Sequence, residues 1–374
     1  MTNRKTRGRL IFGLVAPWLG HLVAGRWRAG LTYLALGAME AAALGLAIGR
    51  GRLAWVTGDG TYWVSTCCLV VVSLLVWGGS AVHLWRAETR VRGKGTPAGY
   101  WASVGKRLGR DSKGIVGLAV ILIVIHTALF APFLASGDPL NMDFYNSLSG
   151  PSELHPLGTD KLGRDVLDRL VYGSRVALGI GVMATLINVM FGGMLGLLAG
   201  YFGGVVDSTI MRFMEITNAV PFLVLVLLVV SLWGSSIGVL IGILGVLGLW
   251  PARIIRSEVL RLRNAEYVLA SRAIGASEAR LIFRHVLPNS LASLLVVATM
   301  NIGTNIITVA SLSFLGFGVT PPTPSWGAML KEAQDYMNTA WWLAFFPGIC
   351  IATTVFSFSL LGDSLRDVLD PRLK

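Results

Sequence analysis

The sequence carries little charge for its length. Only 14% of the 374 residues are charged, whereas 54% are hydrophobic, and the mean hydropathy is +0.66. Soluble domains carry roughly 25% charged residues, so this chain has too few charges to cover a globule of its size. The composition therefore excludes a string of soluble domains. It predicts an all-α integral membrane protein, because helices satisfy their own backbone hydrogen bonds in lipid.

Cysteine and the common catalytic motifs are scarce or missing. The three cysteines are Cys67, Cys68 and Cys350; all lie in apolar runs, and no Cys-x-x-Cys pair occurs. This excludes a disulfide framework and a cysteine-based zinc site. The phosphate-binding pattern G-x-x-x-x-G-K-[ST] is absent, as are H-E-x-x-H and G-x-S-x-G. We expect no catalytic residues, no metal and no cofactor.

Acidic residues are outnumbered by basic ones. The chain has 32 Lys and Arg against 20 Asp and Glu, a net charge of +12. In a soluble protein such an excess indicates nucleic-acid binding. In a membrane protein, basic residues collect in the cytoplasmic loops. The second interpretation suits this composition, so we expect no nucleic-acid partner.

Eight segments are apolar enough to span a membrane, which takes about 20 residues. They are 29–49, 62–85, 114–136, 176–200, 216–233, 237–255, 291–313 and 340–362. The uncharged run 216–252 would extend about 55 Å as a helix, too long for one crossing, and predicts a hairpin turning at 233–236. Segment 10–24 is shorter and contains proline and glycine; we interpret it as interfacial or re-entrant.

The basic residues predict the orientation of these spans. With the N-terminus inside, the cytoplasmic segments hold 23 Lys and Arg and the outer segments hold seven. We therefore predict that both termini are cytoplasmic. The chain divides into an N-terminal extension of about two helices (1–86), a basic cytoplasmic linker (87–113) and a six-helix core (114–374).

One cytoplasmic segment, 256–290, combines apolar residues with arginines. Its pattern predicts two short helices broken at Gly275, with Ser277 as the N-cap of the second and Pro288 ending it before the next span. Tyr267 and Phe283 are among the apolar residues that such helices would expose. The segment either docks into a groove of another protein or rests on the lipid surface.

This segment resembles the coupling loop of permease subunits in binding-protein-dependent ABC importers. That signature is Glu-Ala-Ala, three residues, Gly, nine residues, Ile, any residue, Leu-Pro. Ala270, Gly275, Leu287 and Pro288 fit it, whereas Leu269, Ser271 and His285 depart from it. The resemblance implies that the residues that couple to an ATPase are Glu266, Tyr267, Ala270, Ser271, Arg272, Gly275, Ala276, Arg280, Phe283, Leu287 and Pro288.

Four further segments extend the resemblance over 114–374. They are 155–166, 200–207, 313–327 and 361–374, and together they resemble the dipeptide, oligopeptide and nickel permease family in its second-permease branch. This implies a six-helix type I ABC importer transmembrane domain in the bacterial inner membrane, preceded by about two extra helices. The implied partners are a homologous second permease, two ATP-binding subunits, an extracytoplasmic solute-binding protein, the lipid bilayer and a peptide substrate.

Two further groups of residues are candidates for function. The outer segments should dock the binding protein or gate the outer mouth of the pore through Asp160, Arg164, Asp165, Pro321, Pro322, Pro324 and Trp326. The polar residues Asn188, Asn301, Thr304 and Asn305 lie in core spans. They either face the pore or hydrogen-bond one helix to another. Glycines four residues apart, at 192, 196 and 200 and at 238 and 242, predict close helix packing.

Other functions remain open on these residues alone. The same machinery could carry nickel chelates, glutathione or oligosaccharides instead of peptides. An ion-coupled carrier is disfavoured, because the core spans are nearly free of the ionisable groups that bind a driving ion. A membrane scaffold or channel would use the 256–290 segment on lipid only and would need no ATPase partner.

Overall fold

The computed structural model describes residues 107–369, together with positions 37, 38, 41, 104 and 105. The two predicted spans of the extension and segment 10–24 lie outside the described residues. Of those described, 126–138 belong to one compact unit, while 104–125 and 139–369 belong to a second. In the first unit, the rings of His126 and Phe130 pack with their centroids 4.4 Å apart.

The described chain is helical, with a single isolated bridge between Thr159 and Asp165. The α-helices are α1 (Ser112–Leu129), α2 (Ala131–Leu134), α3 (Val166–Phe202), α4 (Gly204–Ala219), α5 (Phe222–Trp233), α6 (Ile237–Leu247), α7 (Pro251–Arg263), α8 (Glu266–Ala273), α9 (Glu278–Leu281), α10 (Leu287–Leu315), α11 (Trp326–Ala333) and α12 (Trp342–Leu369). Short 3₁₀ turns occur at Phe144–Asn146 and Gln334–Tyr336, and a π turn at Ile282–Val286.

Six apolar spans account for the core of the described chain, as the sequence predicts. Five are continuous by length and composition: Ser112–Leu129, Val166–Phe202, Ile237–Arg263, Glu278–Leu315 and Trp342–Leu369. The sixth is the pair α4 and α5, which meet at 80°. The all-α, six-span expectation for the core is therefore confirmed within the described residues.

The predicted single span 216–233 is wrong at its start. Helix α4 ends at Ala219 and α5 begins at Phe222, with Val220 in extended conformation between them. Pro221 causes the break, because it lacks an amide hydrogen and disfavours helical geometry at the residue before it. The hairpin turn at 233–236 is confirmed: α5 ends at Trp233, and Ser236 Oγ accepts a hydrogen bond from Val239 N–H at the start of α6.

Helix α3 forms the axis of the second unit. It packs most extensively against α7, α10 and α6. At Gly200 an added Cβ would lie 2.7 Å from the carbonyl oxygen of Arg256, and at Gly196 it would overlap that of Ala252. The predicted close packing is thus confirmed where α3 crosses α7. Such packing is not seen at Gly238 and Gly242, where an added Cβ would meet nothing within 4 Å among the described residues.

Two ends of the second unit are separated by the length of α3. With 37 residues, this helix is roughly 55 Å long. Residues 139–165 lie at its N-terminal end, called here the loop end. At its C-terminal end Tyr201 packs in one cluster with Val268 and Leu281 of the segment 264–286, called here the coupling end. The fold thereby places the two groups of predicted functional residues at opposite ends of one helix.

The α3–α7 contact generates a stability prediction. Gly196→Ala should lower the free energy of unfolding by about 1–3 kcal/mol, because the added methyl group has no room beside Ala252. Gly242→Ala is the matched control, since its methyl group meets open space and alanine favours a helix over glycine. Thermal unfolding in detergent should show a lower Tm for the first variant alone; equal Tm values would contradict close packing at this seam.

Candidate functional site

The coupling end consists of two short helices on a left-handed turn. Helix α8 ends at Ala273, Gly275 follows with φ +86°, and α9 begins at Glu278. The predicted break at Gly275 is confirmed. An added Cβ at this position would meet nothing within 4 Å, so glycine is needed there for its backbone conformation and not for space.

The second short helix does not end where the sequence predicts. Pro288 lies in the first turn of α10, and the chain is helical without interruption from Glu278 to Leu315. The π turn allows this, because the amide of Leu287 reaches back five residues to the carbonyl oxygen of Ile282. Ser277 occupies the predicted N-cap position, but its side chain makes no capping hydrogen bond. The coupling end therefore continues directly into a membrane span.

An apolar cluster fixes the coupling end to the spans. Val268, Leu281 and Val286 are completely buried, and they pack with Tyr201 of α3 and Ile255 of α7. Burying a side chain of this kind contributes about 1.5–3 kcal/mol. The short helices are therefore held against α3 and α7 by their own inward-facing residues.

Three polar side chains add a second link. The Tyr201 hydroxyl donates a short hydrogen bond to Glu278 Oε2, and Arg272 Nη2 donates to Tyr201 Oη at 3.2 Å. Arg272 also lies 3.4 Å from Glu278 Oε2. The hydrogen bond with Tyr201 raises the pKa of Arg272 above its ordinary value, so the guanidinium stays charged. Tyr201 and Glu278 are not among the residues predicted from the sequence, although Tyr201 is the hydroxyl-bearing aromatic residue at the end of a long apolar run.

The opposite side of these helices exposes apolar residues. Ile274 is 87% exposed and Phe283 68%, while Leu269 and Tyr267 are nearly half exposed. Partial burial raises the pKa of the Tyr267 hydroxyl, which is therefore neutral at physiological pH. Several exposed apolar side chains at the end of a span are typical of a surface that meets another protein.

The remaining predicted coupling residues lie in the same place. Glu266, Ala270, Arg280 and Pro288 are exposed, and Ser271, Ala276 and Leu287 are half-buried. The structure thus brings all eleven predicted residues to one end of the second unit. Their role in coupling to an ATPase stays a prediction.

An ion pair next to this end joins α4 to α7. Arg256 Nε and Nη2 donate short hydrogen bonds to the two carboxylate oxygens of Asp207. Such two-point pairs fix geometry as well as charge. The pair was not predicted from the sequence, where residue 207 contributes only to the family resemblance.

At the loop end, the predicted charged residues form a buried cluster. Arg164 lies 2.6 Å from Asp160 and 2.9 Å from Glu332 of α11, and Arg169 of α3 lies 2.8 Å from Glu332. Asp160, Arg164 and Arg169 are no more than 5% exposed. Two cations and two carboxylates balance each other, as buried charges require. Burial leaves Asp160 and Arg164 no exposed surface for direct docking, and the alternative role in gating the outer mouth stays a prediction.

Of the other predicted docking residues, some are buried and others are exposed. Trp326 is 4% exposed and donates from Nε1 to the carbonyl oxygen of Leu170 at 2.9 Å, so burial leaves it no exposed surface for direct docking either. Asp165 caps α3 by accepting from Asp168 N–H at 3.1 Å, and Pro324 is buried. Pro321 and Pro322 are exposed, and docking through them stays a prediction.

Three of the four predicted pore residues hydrogen-bond between helices. Asn301 donates to Asn188 at 2.7 Å, and Asn305 donates to Thr185 at 2.9 Å, so that α10 is bonded to α3. All three asparagines are buried, whereas Thr304 is exposed. These contacts favour helix–helix hydrogen bonding for the asparagines. A pore role for any of the four residues stays a prediction.

Two family models match the chain. The model described as binding-protein-dependent transport system inner membrane component matches residues 192–374. The model described as the N-terminal TM domain of oligopeptide transport permease C matches residues 99–151. The second match begins inside the predicted linker 87–113, so similarity to known proteins extends further towards the N-terminus than the resemblance over 114–374.

Several well-described proteins are similar over most of their length. The dipeptide transport system permease protein DppC of Alkalihalophilus pseudofirmus is 41% identical over 280 residues, which cover 75% of this chain and 92% of the relative. The glutathione transport system permease protein GsiD of Pectobacterium atrosepticum is 41% identical, covering 73% and 92%. The oligopeptide transport system permease protein OppC of Bacillus subtilis is 38% identical, covering 73% and 90%.

The polar link at the coupling end generates a second prediction. Tyr201→Phe removes the hydroxyl that joins Arg272 to Glu278 but keeps the buried ring. Hydrogen–deuterium exchange of the protein in nanodiscs should become several-fold faster across residues 266–281. Tyr267→Phe is the control, because this residue lies outside the Arg272–Glu278 pair. Equal protection in both variants would show that apolar packing alone holds these helices.

Proposed function

Because this chain belongs to the family of binding-protein-dependent transport system inner membrane components, we propose that it forms half of the pore of an ATP-driven peptide importer. Members of this family are non-catalytic permease subunits, and ATP is hydrolysed by separate ATPase subunits. The observation that carries the proposal is the coupling end: an apolar surface braced on its inner side against α3 and α7.

The proposed complex contains a homologous second permease, two ATP-binding subunits and an extracytoplasmic solute-binding protein. The exposed Ile274 and Phe283 would enter a groove of the ATPase, as an amphipathic helix enters its receptor. The loop end would face the binding protein. The excess of basic residues in the predicted cytoplasmic segments supports an orientation with the coupling end and both termini inside.

The proposed transmission of force follows from helix continuity. A displacement of α9 passes directly into α10, because the helix runs unbroken from Glu278 to Leu315. The same displacement reaches α3 through the hydrogen bond of Glu278 with Tyr201. ATP binding can switch the pore only if the ATPase contacts the coupling end differently in the two states.

The proposed substrates are di- and oligopeptides. Support comes from relatives named as dipeptide, di/tripeptide and oligopeptide permeases, all 38–41% identical to this chain. Glutathione, itself a tripeptide, is a second candidate, because the permease GsiD of Pectobacterium atrosepticum is equally similar at 41%.

The test begins with purification of the tagged chain from its native membrane in mild detergent. We expect a second permease and ATPase subunits to co-purify, and the reconstituted complex to take up peptide only with ATP and a binding protein. A chain recovered reproducibly alone, or uptake that follows an ion gradient without ATP, would reject the importer.

The binding protein of this complex should report the substrate. It can be identified as the protein that stimulates ATP hydrolysis by the reconstituted complex. Di- and oligopeptides should raise its Tm by several degrees in a thermal-shift screen, since a ligand that binds only the folded state stabilises it. Stabilisation by glutathione but not by other peptides would favour the second candidate; stabilisation by nickel chelates or oligosaccharides alone would exclude peptides.

The left-handed turn yields a prediction about coupling. Gly275→Val should reduce ATP-driven uptake at least tenfold while ATP hydrolysis continues, because a β-branched residue cannot readily adopt φ +86° and the turn between α8 and α9 would change shape. Gly275→Asn is the matched control, since asparagine tolerates this region and the position has space for a side chain. Normal uptake by the valine variant would contradict a role for this turn.

A further inference from the structure

Aromatic side chains are held away from the protein surface at the loop end. Phe144 is 66% exposed and Tyr145 is fully exposed, and Met142 beside them is 51% exposed. The two aromatic residues occupy the 3₁₀ turn Phe144–Asn146. Residues 142–145 are called here the aromatic turn. Because large apolar groups in water are costly, this exposure indicates a surface covered by a partner.

The aromatic turn is fixed by the side chain and backbone of Asp143. Asp143 accepts hydrogen bonds from Tyr145 N–H at 3.1 Å and from the Asn146 amide at 2.8 Å. The amide of Asp143 donates to the carbonyl oxygen of Leu162 at 3.1 Å. Gly163, at φ +73°, touches the carbonyl group of Asp143 so closely that any side chain would overlap it. The rings are therefore presented on a preformed turn, which reduces the entropic cost of binding.

The position of the turn places it beyond the apolar span. Leu162 precedes α3, whose first ten residues, 166–175, include the charged Asp168, Arg169 and Arg175. No charged residue follows from 176 to 206. The aromatic turn thus adjoins the N-terminal end of α3, about 15 Å along the helix from the start of its uncharged run.

The charges around the turn distinguish between a membrane and a protein partner. Asp143 and Glu153 lie in the same loop with a single exposed lysine, Lys161, while Arg164 is buried in ion pairs. Segments that rest on anionic lipid surfaces place lysine and arginine beside their aromatic residues. The net acidic charge of this loop opposes contact with anionic lipid and is compatible with a neutral or basic protein surface.

We propose that the aromatic turn is the anchor through which the permease holds its extracytoplasmic solute-binding protein, with Phe144 and Tyr145 entering a neutral or basic surface on that partner. This inference rests on the proposed function and assigns the docking residues within it. It replaces Asp160, Arg164 and Trp326, which the fold buries. Few interface residues carry most of the binding energy, and exposed, preorganised aromatic residues are typical of them.

The experiment uses the complete complex in nanodiscs, together with the binding protein that stimulates its ATP hydrolysis. In the double variant Phe144→Ala/Tyr145→Ala, the concentration of binding protein that gives half-maximal stimulation should rise at least tenfold. Basal hydrolysis and the maximal rate at saturation should stay unchanged. The matched control is Phe144→Tyr/Tyr145→Phe, which keeps both rings and should retain affinity within about twofold, far below the tenfold step of 1.4 kcal/mol.

Three other outcomes would overturn the assignment. Unchanged half-maximal stimulation in the alanine variant would exclude the turn as an anchor while leaving the importer intact. A lower maximal rate without a shift in concentration would assign the turn to gating. The third outcome is measured with a fluorophore attached at Tyr145→Cys, after the three native cysteines have been replaced. If the turn is the anchor, the emission of the fluorophore should shift to the blue when binding protein is added. A blue shift that is present without binding protein and depends on anionic lipid would assign the turn to the membrane.

A separate result tests the premise. If no extracytoplasmic binding protein stimulates the wild-type complex, the proposed function fails, whatever the variants do. If the wild type is stimulated and the alanine variant is stimulated equally, only the assignment of the aromatic turn fails.

Discussion

The close contact between α3 and α7 is the constraint on which the second unit depends. Gly196 and Gly200 let the backbone of α7 approach α3 to a distance that leaves no room for a methyl group. In lipid there is no hydrophobic force between helices, so this approach and the hydrogen bonds of the buried asparagines hold the spans together. The continuous helix α3 then connects the loop end with the coupling end.

The coupling end shows how a short, exposed element can be both apolar on its surface and rigid at its base. Its inner side is fixed by buried Val268 and Leu281 and by the three-way contact of Tyr201, Arg272 and Glu278. The π turn keeps α9 and α10 in one helix despite Pro288. An element built in this way can pass a displacement into the membrane spans, which an independent surface helix could not do.

The loop end is organised around charge neutralised inside the protein. The cluster of Asp160, Arg164, Arg169 and Glu332 joins the loop, α3 and α11 into one body. Because these groups are buried, the exposed surface of the loop consists of other residues, among them those of the aromatic turn. The charged residues therefore determine the shape of the loop, and the apolar residues beside them determine what it can bind.

The number of core spans, the hairpin turn, the break at Gly275 and the family could be predicted from the sequence, because these depend on local composition and on spacing along the chain. The burial of individual polar residues could not be predicted in this way. Asn188, Asn301 and Trp326 are residue types common at functional sites, yet here they are buried and hydrogen-bond to neighbouring segments. Phe144 and Tyr145 are residue types common in protein cores, yet here they are exposed. Only the tertiary structure decides this, because burial depends on contacts between segments more than a hundred residues apart, such as Asn188 with Asn301 and Arg164 with Glu332.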